Sequence, residues 1–477
     1  MAINEKMPIR ATPYQHQLAA YRFALDRYAD EKGVAFLMEM GTGKTITSIG
    51  VAGTLLVQGK VKRLLVVAPK TIVSVWGEEF SKFANFDYNL AVLDGASSRK
   101  IDTIRHMNGV ALQVLAVNYE SCWRLEDELA KWQPDMIICD ESSKIKNPQA
   151  KCSKCLHRLG KQSRFNLILT GTPVVNNPLD FFSQYKFLDP NILGGSYYAF
   201  RAKYAIIGGF QNHQIVGYKN LDELVQRVHE VAYRVRLSDA VDLPPYIDET
   251  RVIQLEPNAM RIYRNIEEES YSTLFNGEIT TRNILTQLLR LSQITGGFIR
   301  DDGSEYAQQI SSAKLDALED ILDGALEEGK KVAVFARFLP EIHAIEKMLK
   351  AKKIGYSLIC GEVKDRAAEV EKFQKQSDIR IFVGQLQTTG MGLTLTAASV
   401  AVFYSLDFNY SNYEQSRARI YRIGQKQKCL YIHLVAKDTV DTKILKALEH
   451  KGDVATLVVD EWRSLVNQKG GQRNAKQ

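Results

Sequence analysis

The sequence predicts an α/β protein of two parallel-sheet lobes with helical insertions between them. Three observations carry that expectation. Short runs that are apolar throughout, rather than alternating, recur with helical stretches between them, as strands covered on both faces do. The alternation stops after Thr172 and returns from about residue 312. A length of 477 residues exceeds one core and suits two or three domains.

Ahead of the first strand, Pro13-Tyr14-Gln15-His16-Gln17 leads into Ala20, Tyr21, Phe23, Ala24 and Leu25, spaced as on an amphipathic helix. A glutamine one helix ahead of a nucleotide loop can read both the donor and the acceptor on the edge of an adenine. The first strand is Gly33-Val34-Ala35-Phe36-Leu37, and Met40-Gly41-Thr42-Gly43-Lys44-Thr45 comes after it, before the helical Ile46-Thr47-Ser48-Ile49. Strand, glycine-bearing turn and helix start make an anion site, because free backbone N–H groups and the helix dipole point into the turn. Phosphate fits there. Lys44 would reach the β- and γ-phosphates of a nucleotide, and the Thr45 hydroxyl would take the magnesium ion. Met38 replaces the first glycine of GxxxxGK[ST], so taken alone the stretch also reads as a turn without a ligand.

Strands then recur at Leu64–Ala68, Val114–Val117, Met136–Cys139 and Leu167–Leu169. In a parallel sheet ligands bind beyond the carboxyl ends of the strands, so the residues just after each strand are informative. Asp140-Glu141 comes directly after Met136–Cys139. Asp140 is suited to hold the magnesium ion, and Glu141 to orient and deprotonate an attacking water. Thr170-Gly171-Thr172-Pro173 succeeds Leu167–Leu169 and reads either as a sensor of the magnesium site or as an ordinary loop. From Ser142 to Leu179 there is no acidic residue, while Lys144, Lys146, Lys151, Lys154, Arg158, Lys161 and Arg164 are basic. A solvated face and a contact to a phosphate backbone both stay open for such a run.

From about 176 to 310 the chain reads mainly as helices and connections, broken at Pro244-Pro245, the expected domain boundary; Pro257 suits the first turn of a helix through Met260, Tyr263 and Ile266. The second set of strands is Val332–Phe335, Tyr356–Cys360, Ile379–Val383, Val400–Tyr404 and Tyr431–Val435, without a phosphate loop of its own. Within Glu414 to Gln425, Arg419 and Arg422 lie three apart and hence on one face of an expected helix. Two guanidinium groups reaching a γ-phosphate stabilise the transferring charge, an effect of roughly 10³–10⁵ in rate.

Hydrophobic content of 45% and charged content of 25% are those of a soluble globular protein. No apolar run approaches a membrane span and the first residues lack a secretory core, so the chain is expected to stay where it is made. Six scattered cysteines fit a reducing compartment. Cys152 and Cys155 form a CxxC with no second Cys or His pair at zinc spacing. The net charge of +7 leans toward a polyanionic partner.

With these motifs in this order, the chain resembles the Swi/Snf-type branch of superfamily-two helicases, the double-stranded-DNA translocating ATPases. Tyr14-Gln15 is similar to the family's adenine-reading element, and Glu39 to Thr45 to its phosphate loop, where members also lack the first glycine. Val67-Ala68-Pro69-Lys70 through Trp76, Asn118-Tyr119-Glu120, Asp140-Glu141-Ser142-Ser143 with Ile145-Lys146-Asn147, and Leu169 to Pro173 with Asn176-Asn177 resemble the family's next elements. Arg234 to Arg236 and Leu243-Pro244-Pro245 resemble the connector. In the second half Phe335-Ala336-Arg337-Phe338, Gly361 through Arg366 to Phe373, Thr389-Gly390-Met391-Gly392 to Ala397, and Gln415 to Gln425 complete the series. The Arg-Ile-Gly-Gln ending separates this branch from other helicases. Ser143 and Tyr421 depart from the pattern, each standing where the family usually has His, which bears on how hydrolysis is coupled to movement.

The resemblance implies two RecA-like lobes: an ATP-binding lobe over residues 1–245 with a helical insertion at about 176–240, and a second lobe over 246–465 with an insertion at about 257–310. A disordered basic tail, 466–477, is expected behind them. It implies ATP and Mg2+ as cofactors, with Gln15, Gly41, Thr42, Gly43, Lys44, Thr45 and Gly392 on the nucleotide, and Thr45 and Asp140 on the metal. Lys44, Asp140, Glu141, Arg419 and Arg422 would be catalytic, the arginines reaching the γ-phosphate across a cleft that closes and reopens with hydrolysis. Lys70, Lys144, Lys146, Arg337, Thr389 and Gly390 would touch DNA. The expected partner is double-stranded DNA, with proteins bound to it as further partners, and the motor is expected to be monomeric and off the membrane. Its compactness suggests a bacterial or viral source and a cytoplasmic location, or a nuclear one if eukaryotic. A single-strand DNA or RNA helicase, and a nucleotide-gated DNA-binding protein, are the alternatives.

Overall fold

The computed structural model describes residues 6–30, 32–70, 72–174, 177–208, 214–275, 281–299, 307–363, 365–389 and 393–459. The chain divides into two compact units, Met1–Asp242 with Lys451–Gln477, and Leu243–His450. No helix among the described residues is long and apolar enough to cross a membrane. The expected tail, 466–477, lies outside the described residues.

The first unit is built on β1 (Gly33–Met38), β2 (Arg63–Ala68), β3 (Tyr88–Val92), β4 (Leu112–Asn118), β5 (Met136–Asp140), β6 (Phe165–Leu169), β7 (Ala205–Gly208), β8 (Gln214–Tyr218) and β9 (Ala232–Val235). Seven of these form one sheet in the order β3-β4-β2-β5-β6-β1-β9. Every neighbouring pair is parallel. The central strands β1, β4, β5 and β6 are buried at every position. That explains their unbroken apolar runs, since helices cover both faces and no position meets water. Alternate residues feed two cores. Ala35, Leu37, Leu65, Val67, Ile137 and Ile168 face one side, with Leu156, Phe182 and Tyr185. Phe36, Met38, Leu64, Val66, Ile138 and Leu167 face the other, with Ala20, Tyr21, Ile49 and Trp76.

The expected helical insertion at 176–240 is not wholly helical. Helices Phe181–Leu188, Tyr197–Tyr204 and Leu221–Glu230 alternate there with the antiparallel hairpin β7–β8 and with β9, which joins the sheet beside β1.

The second unit holds β10 (Tyr246–Ile253), the short antiparallel pair β11 (Phe298–Ile299) and β12 (Gln308–Gln309), then β13 (Lys331–Ala336), β14 (Gly355–Ile359), β15 (Ile379–Gln385), β16 (Ala398–Phe403) and β17 (Cys429–Ala436). Its main sheet, in the order β10-β17-β16-β13-β15-β14, is also parallel throughout. Helices Pro257–Phe275 and Thr281–Thr295 lie between β10 and β11 in the chain.

One buried side chain ties helix ends to the first sheet. Asn166 in β6 donates from Nδ2 to Gly160 O at 2.8 Å, and to Phe187 O and Leu188 O at 3.0 Å, while Ser163 Oγ donates to its Oδ1. Removing the amide strands buried carbonyls that have no water to turn to. Asn166→Ala is therefore expected to lower the unfolding free energy by about 3 kcal/mol, read from urea denaturation followed by circular dichroism. An unchanged midpoint would contradict this role.

Candidate nucleotide-binding site

Because the first sheet is parallel, β1, β2, β5 and β6 all end on one edge, and the loops leaving them meet there. Register brings two of them together. Phe36 of β1 and Asp140 of β5 both pair with Leu169 of β6, so the phosphate loop and the acidic pair flank the end of one strand. The loop after β6 closes the gap: Thr170 N donates to Phe36 O at 3.1 Å. A Cβ on Gly171 would stand 3.3 Å from Met40 N. A side chain there would push the two backbones apart by a few tenths of an ångström, which glycine avoids.

Gly41 and Gly43 have φ of 79° and 88°, a left-handed backbone that glycine adopts without strain. α2 (Lys44–Val57) starts immediately after Gly43 with no side-chain cap, leaving its first N–H groups for an anion. The Thr42 hydroxyl donates to Glu39 O at 2.7 Å and tightens the turn. Lys44 Nζ donates back to Met38 O at 2.9 Å and Glu39 O at 3.3 Å. Burial pushes its ammonium down from the usual lysine range, and the carboxylates of Glu141 and Asp140 oppose that. Thr45 is half-buried in the first turn of α2, next to Lys44. Glu39 anchors the loop entrance: Arg234 of β9 pairs with it at 2.9 Å and also donates to Leu37 O at 3.0 Å, and Leu237 N donates to its other oxygen at 2.8 Å.

Gln15 opens α1 (Gln15–Asp30) and is exposed. The glutamine that touches the loop is Gln17, which is buried. Its Nε2 donates to Thr42 O at 3.2 Å and its Oε1 accepts from Tyr14 N at 3.0 Å. A Cβ on Gly43 would fall 2.1 Å from that Nε2, so glycine and glutamine fit as a pair. His16 Nε2 lies 2.8 Å from the same Thr42 carbonyl. Gln17 is not among the site residues expected from the sequence; its spacing to Ala20, Tyr21 and Ala24, which places it on the buried face of α1, is the signal that marks it.

Asp140 is buried at the end of β5. Trp76 Nε1 donates to its Oδ2 at 3.0 Å, Glu141 N donates to its Oδ1 at 2.9 Å, and Tyr119 OH donates to its carbonyl at 2.7 Å. Burial, then the neighbouring Glu141 charge, pushes its carboxyl up, against the pull of Lys44 and of those hydrogen bonds. Glu141 has φ 50° and ψ 55°, a left-handed conformation that costs a non-glycine residue about 1–3 kcal/mol. Its Oε2 is buried without a hydrogen-bond partner. An orphaned carboxylate oxygen beside an oriented Asp140 is a hard-oxygen donor set of the kind that suits Mg2+ and an ordered water. Ser142 Oγ donates to Gln184 Oε1 at 2.7 Å, and Gln184 Nε2 donates to Pro173 O at 2.8 Å, which joins the loops after β5 and β6.

Of the residues expected on DNA, Lys70 comes just after β2 and is exposed, Lys144 is exposed just after the acidic pair, and Lys146 is half-buried beside it. All three belong to loops on the edge that carries the phosphate loop. Part of the wider basic run is used within the fold: Arg158 pairs with Glu126, Lys151 lies over the Trp123 ring at 4.7 Å, and Arg164 over Phe165 at 5.1 Å.

In the second unit Arg337 comes just after β13. Its N–H donates to Ser405 Oγ at 2.8 Å and its guanidinium lies over the Phe338 ring at 4.9 Å. Thr389 ends the short helix Leu386–Thr389; its side chain, Gly390 and Gly392 lie outside the described residues. The helix expected to carry Arg419 and Arg422 is shorter than predicted. It runs from Tyr410 to Arg417, and both arginines lie in the turns beyond it. Two anchors stop it there. Arg417 is held by Asp248 at 2.8 and 3.0 Å and stacks on the Tyr431 ring at 4.4 Å. Gln425 Nε2 donates to Ala398 O at 2.8 Å and Ile420 O at 3.0 Å, fixing the turn. The arginines nevertheless converge: Arg419 Nη1 and Arg422 Nη1 donate to Leu393 O at 3.2 and 3.0 Å.

Comparison with known proteins gives the family. Residues 15–296 match the SNF2-related domain, and residues 313–424 the helicase conserved C-terminal domain. The chain is 28% identical to the DNA repair and recombination protein RAD54-like of Danio rerio, over 94% of this chain and 67% of that protein. It is 27% identical to the DNA repair and recombination protein RDH54 of Saccharomyces cerevisiae, over 88% of this chain and 51% of that one. A SWI/SNF-related chromatin regulator, subfamily A-like protein 1 of Drosophila melanogaster, is 27% identical over 96% of this chain and 57% of its own length. The chain thus spans about half to two thirds of the length of these relatives. Among solved structures, the Sulfolobus solfataricus SWI2/SNF2 ATPase core in complex with dsDNA is 25% identical with a TM-score of 0.45, covering 97% of this chain and 95% of that one. With a phosphate loop and an acidic pair flanking one strand end, an arginine pair in the second unit, and the family pattern running through both, the chain belongs to the SNF2-related family.

Proposed function

We propose that this chain is a DNA-dependent ATPase that moves along double-stranded DNA and remodels DNA or the complexes bound to it. The observation that carries this reading is the meeting of Lys44, Asp140 and Glu141 on one sheet edge, inside a chain that belongs to the SNF2-related family. The names of two relatives, which assign them to DNA repair and recombination, support a role in handling DNA.

The phosphate loop would bind the triphosphate through the N–H groups at the start of α2, with Lys44 leaving its own loop carbonyls for the phosphates. Thr45 and Asp140 would hold Mg2+, which neutralises phosphate charge when bound. Glu141, with one oxygen unpartnered, is the group to orient the attacking water and take its proton. Gln17 keeps the loop in register through Thr42, and Gln15, exposed at the head of α1, is proposed to read the base. Arg419 and Arg422 are the cationic contribution of the second unit to turnover. Lys70, Lys144, Lys146, Arg337, Thr389 and Gly390 are proposed to track the phosphate backbone, which would make binding insensitive to sequence and steeply weaker in salt.

Displacement of a third strand from duplex DNA, with and without ATP, tests movement directly; displacement that ignores ATP would reject it. Lys44→Ala is expected to abolish hydrolysis. Glu141→Gln should lower kcat at least about a hundredfold while a fluorescent ATP analogue still binds, since only proton abstraction is removed. Turnover near the wild-type rate would remove that role. Arg422→Ala should slow turnover and leave nucleotide-free DNA binding unchanged; a defect confined to DNA binding would overturn the assignment. Gly43→Ala is expected to weaken nucleotide binding about tenfold or more, because the new Cβ strains the turn and meets Gln17. Titration with the same analogue reads this, and unchanged affinity would show that the pair is not needed.

A further inference from the structure

The hairpin β7–β8 exposes apolar surface that the fold does not use. Ile206, Ile207, Ile215 and Val216 are 44%, 37%, 37% and 60% exposed, and nearby Tyr198 is 79% exposed. A two-stranded ribbon gains little stability of its own, so four exposed branched side chains on it burden folding without any return in the free chain. Another strand is a poor occupant. The register shifts between Ile206 and Ile207, a bulge that twists the ribbon away from edge-to-edge pairing.

Position and charge point to a different occupant. Helix Leu221–Glu230 leads into β9, which is parallel to β1, so the helix runs back against the strand and starts near the edge that carries the phosphate loop. The hairpin, which ends two residues before that helix, is therefore on the same edge. The Asp180 carboxylate links it to the basic loop there: that charge acts on Tyr218, whose phenol burial pushes up first, and on Lys146, whose ammonium burial pushes down. Between Asp189 and Asp222 there is no acidic residue, while Arg201, Lys203 and Lys219 are basic; Lys203 is taken up by an ion pair with Glu223, which also holds Arg227 at 3.1 Å, and Lys219 is exposed directly after β8. An apolar ribbon with the exposed Lys219 at its base, on the edge proposed to follow phosphates, fits nucleic acid, but phosphates offer nothing to isoleucine. Base faces and sugar edges do, and they are open where the duplex is interrupted.

We propose that the β7–β8 hairpin is a junction-sensing element, whose apolar side chains contact unpaired or unstacked bases at a fork or single-strand–duplex boundary. This deepens the function proposed above and rests on it. The test uses the full chain with Ile207→Ser/Val216→Ser, compared on linear duplex and on a fork of equal length with unpaired arms. The expected result is an affinity for the fork about tenfold weaker, with linear-duplex binding and duplex-stimulated ATPase within about twofold of wild type. Ile207→Leu/Val216→Leu should keep the fork preference, which a loss of folding would not. A photo-crosslinking residue placed at Val216 should join to bases at the boundary. Equal losses on both DNAs, no loss on the fork, or a wild-type dimer dissolved by the serine variant would overturn the proposal, the last by assigning the patch to a second copy of the chain. Wild-type ATPase that ignores duplex DNA would instead strike the function reading itself.

Discussion

The direction of the strands is the constraint on which the rest of this molecule depends. Each central strand of the first unit runs the same way, so every carboxyl end, with whatever polar residues come after it, arrives at one edge. A single reversed strand would send its loop to the opposite side. The crossover helices that this direction requires also cover both faces, which makes β1 apolar throughout and leaves Gln113, Asn118, Asp140 and Asn166 as the polar residues of β4, β5 and β6. The same rule thus dictates the core composition and the place of the polar site.

On that edge charge is concentrated away from water. Lys44 and Asp140 interact in surroundings where burial works against the ionised form of both, and the Glu141 charge acts on each of them. Such an arrangement persists only if the fold over-determines it, and the structure contains the required supports. Trp76 and the Glu141 N–H hold Asp140, Arg234 holds Glu39 at the loop entrance, and Gln184 links the loops after β5 and β6. Pre-set groups in a site of low polarity need little rearrangement when charge develops on a phosphate, and that is where most of the catalytic benefit of such sites arises.

Burial decides how much of this molecule was legible in its sequence. The interior strands were visible because a short continuous apolar run, bounded by turn residues and flanked by helical stretches, is the mark of a strand covered on both faces. The strands missed in the two main sheets, β3, β9 and β10, are edge strands: β3 and β9 are only partly buried and β10 is exposed over most of its length, so each reads as a mixed segment; the hairpins β7–β8 and β11–β12, outside those sheets, were missed as well. The phosphate loop and the acidic pair were legible as local strings. Gln17 and Arg234 were not read as site residues, because their roles come from contacts made far along the chain. The arginine pair was identified by spacing, yet the helix inferred from it ends early, since the interactions that stop it, Asp248 with Arg417 and Gln425 with Ala398, are tertiary.

The resting position of Lys44 has a consequence for selectivity. Its ammonium already donates to Met38 O and Glu39 O, so these two carbonyls stand where the oxygens of the proposed anion would compete. A ligand gains only the difference between its own oxygens and those two carbonyls. A neutral nucleoside, unable to draw the side chain out, gains nothing from it, whereas a polyphosphate with full negative charge does. Under the proposed function, discrimination between adenosine and its triphosphate would therefore begin with a competition internal to the polypeptide.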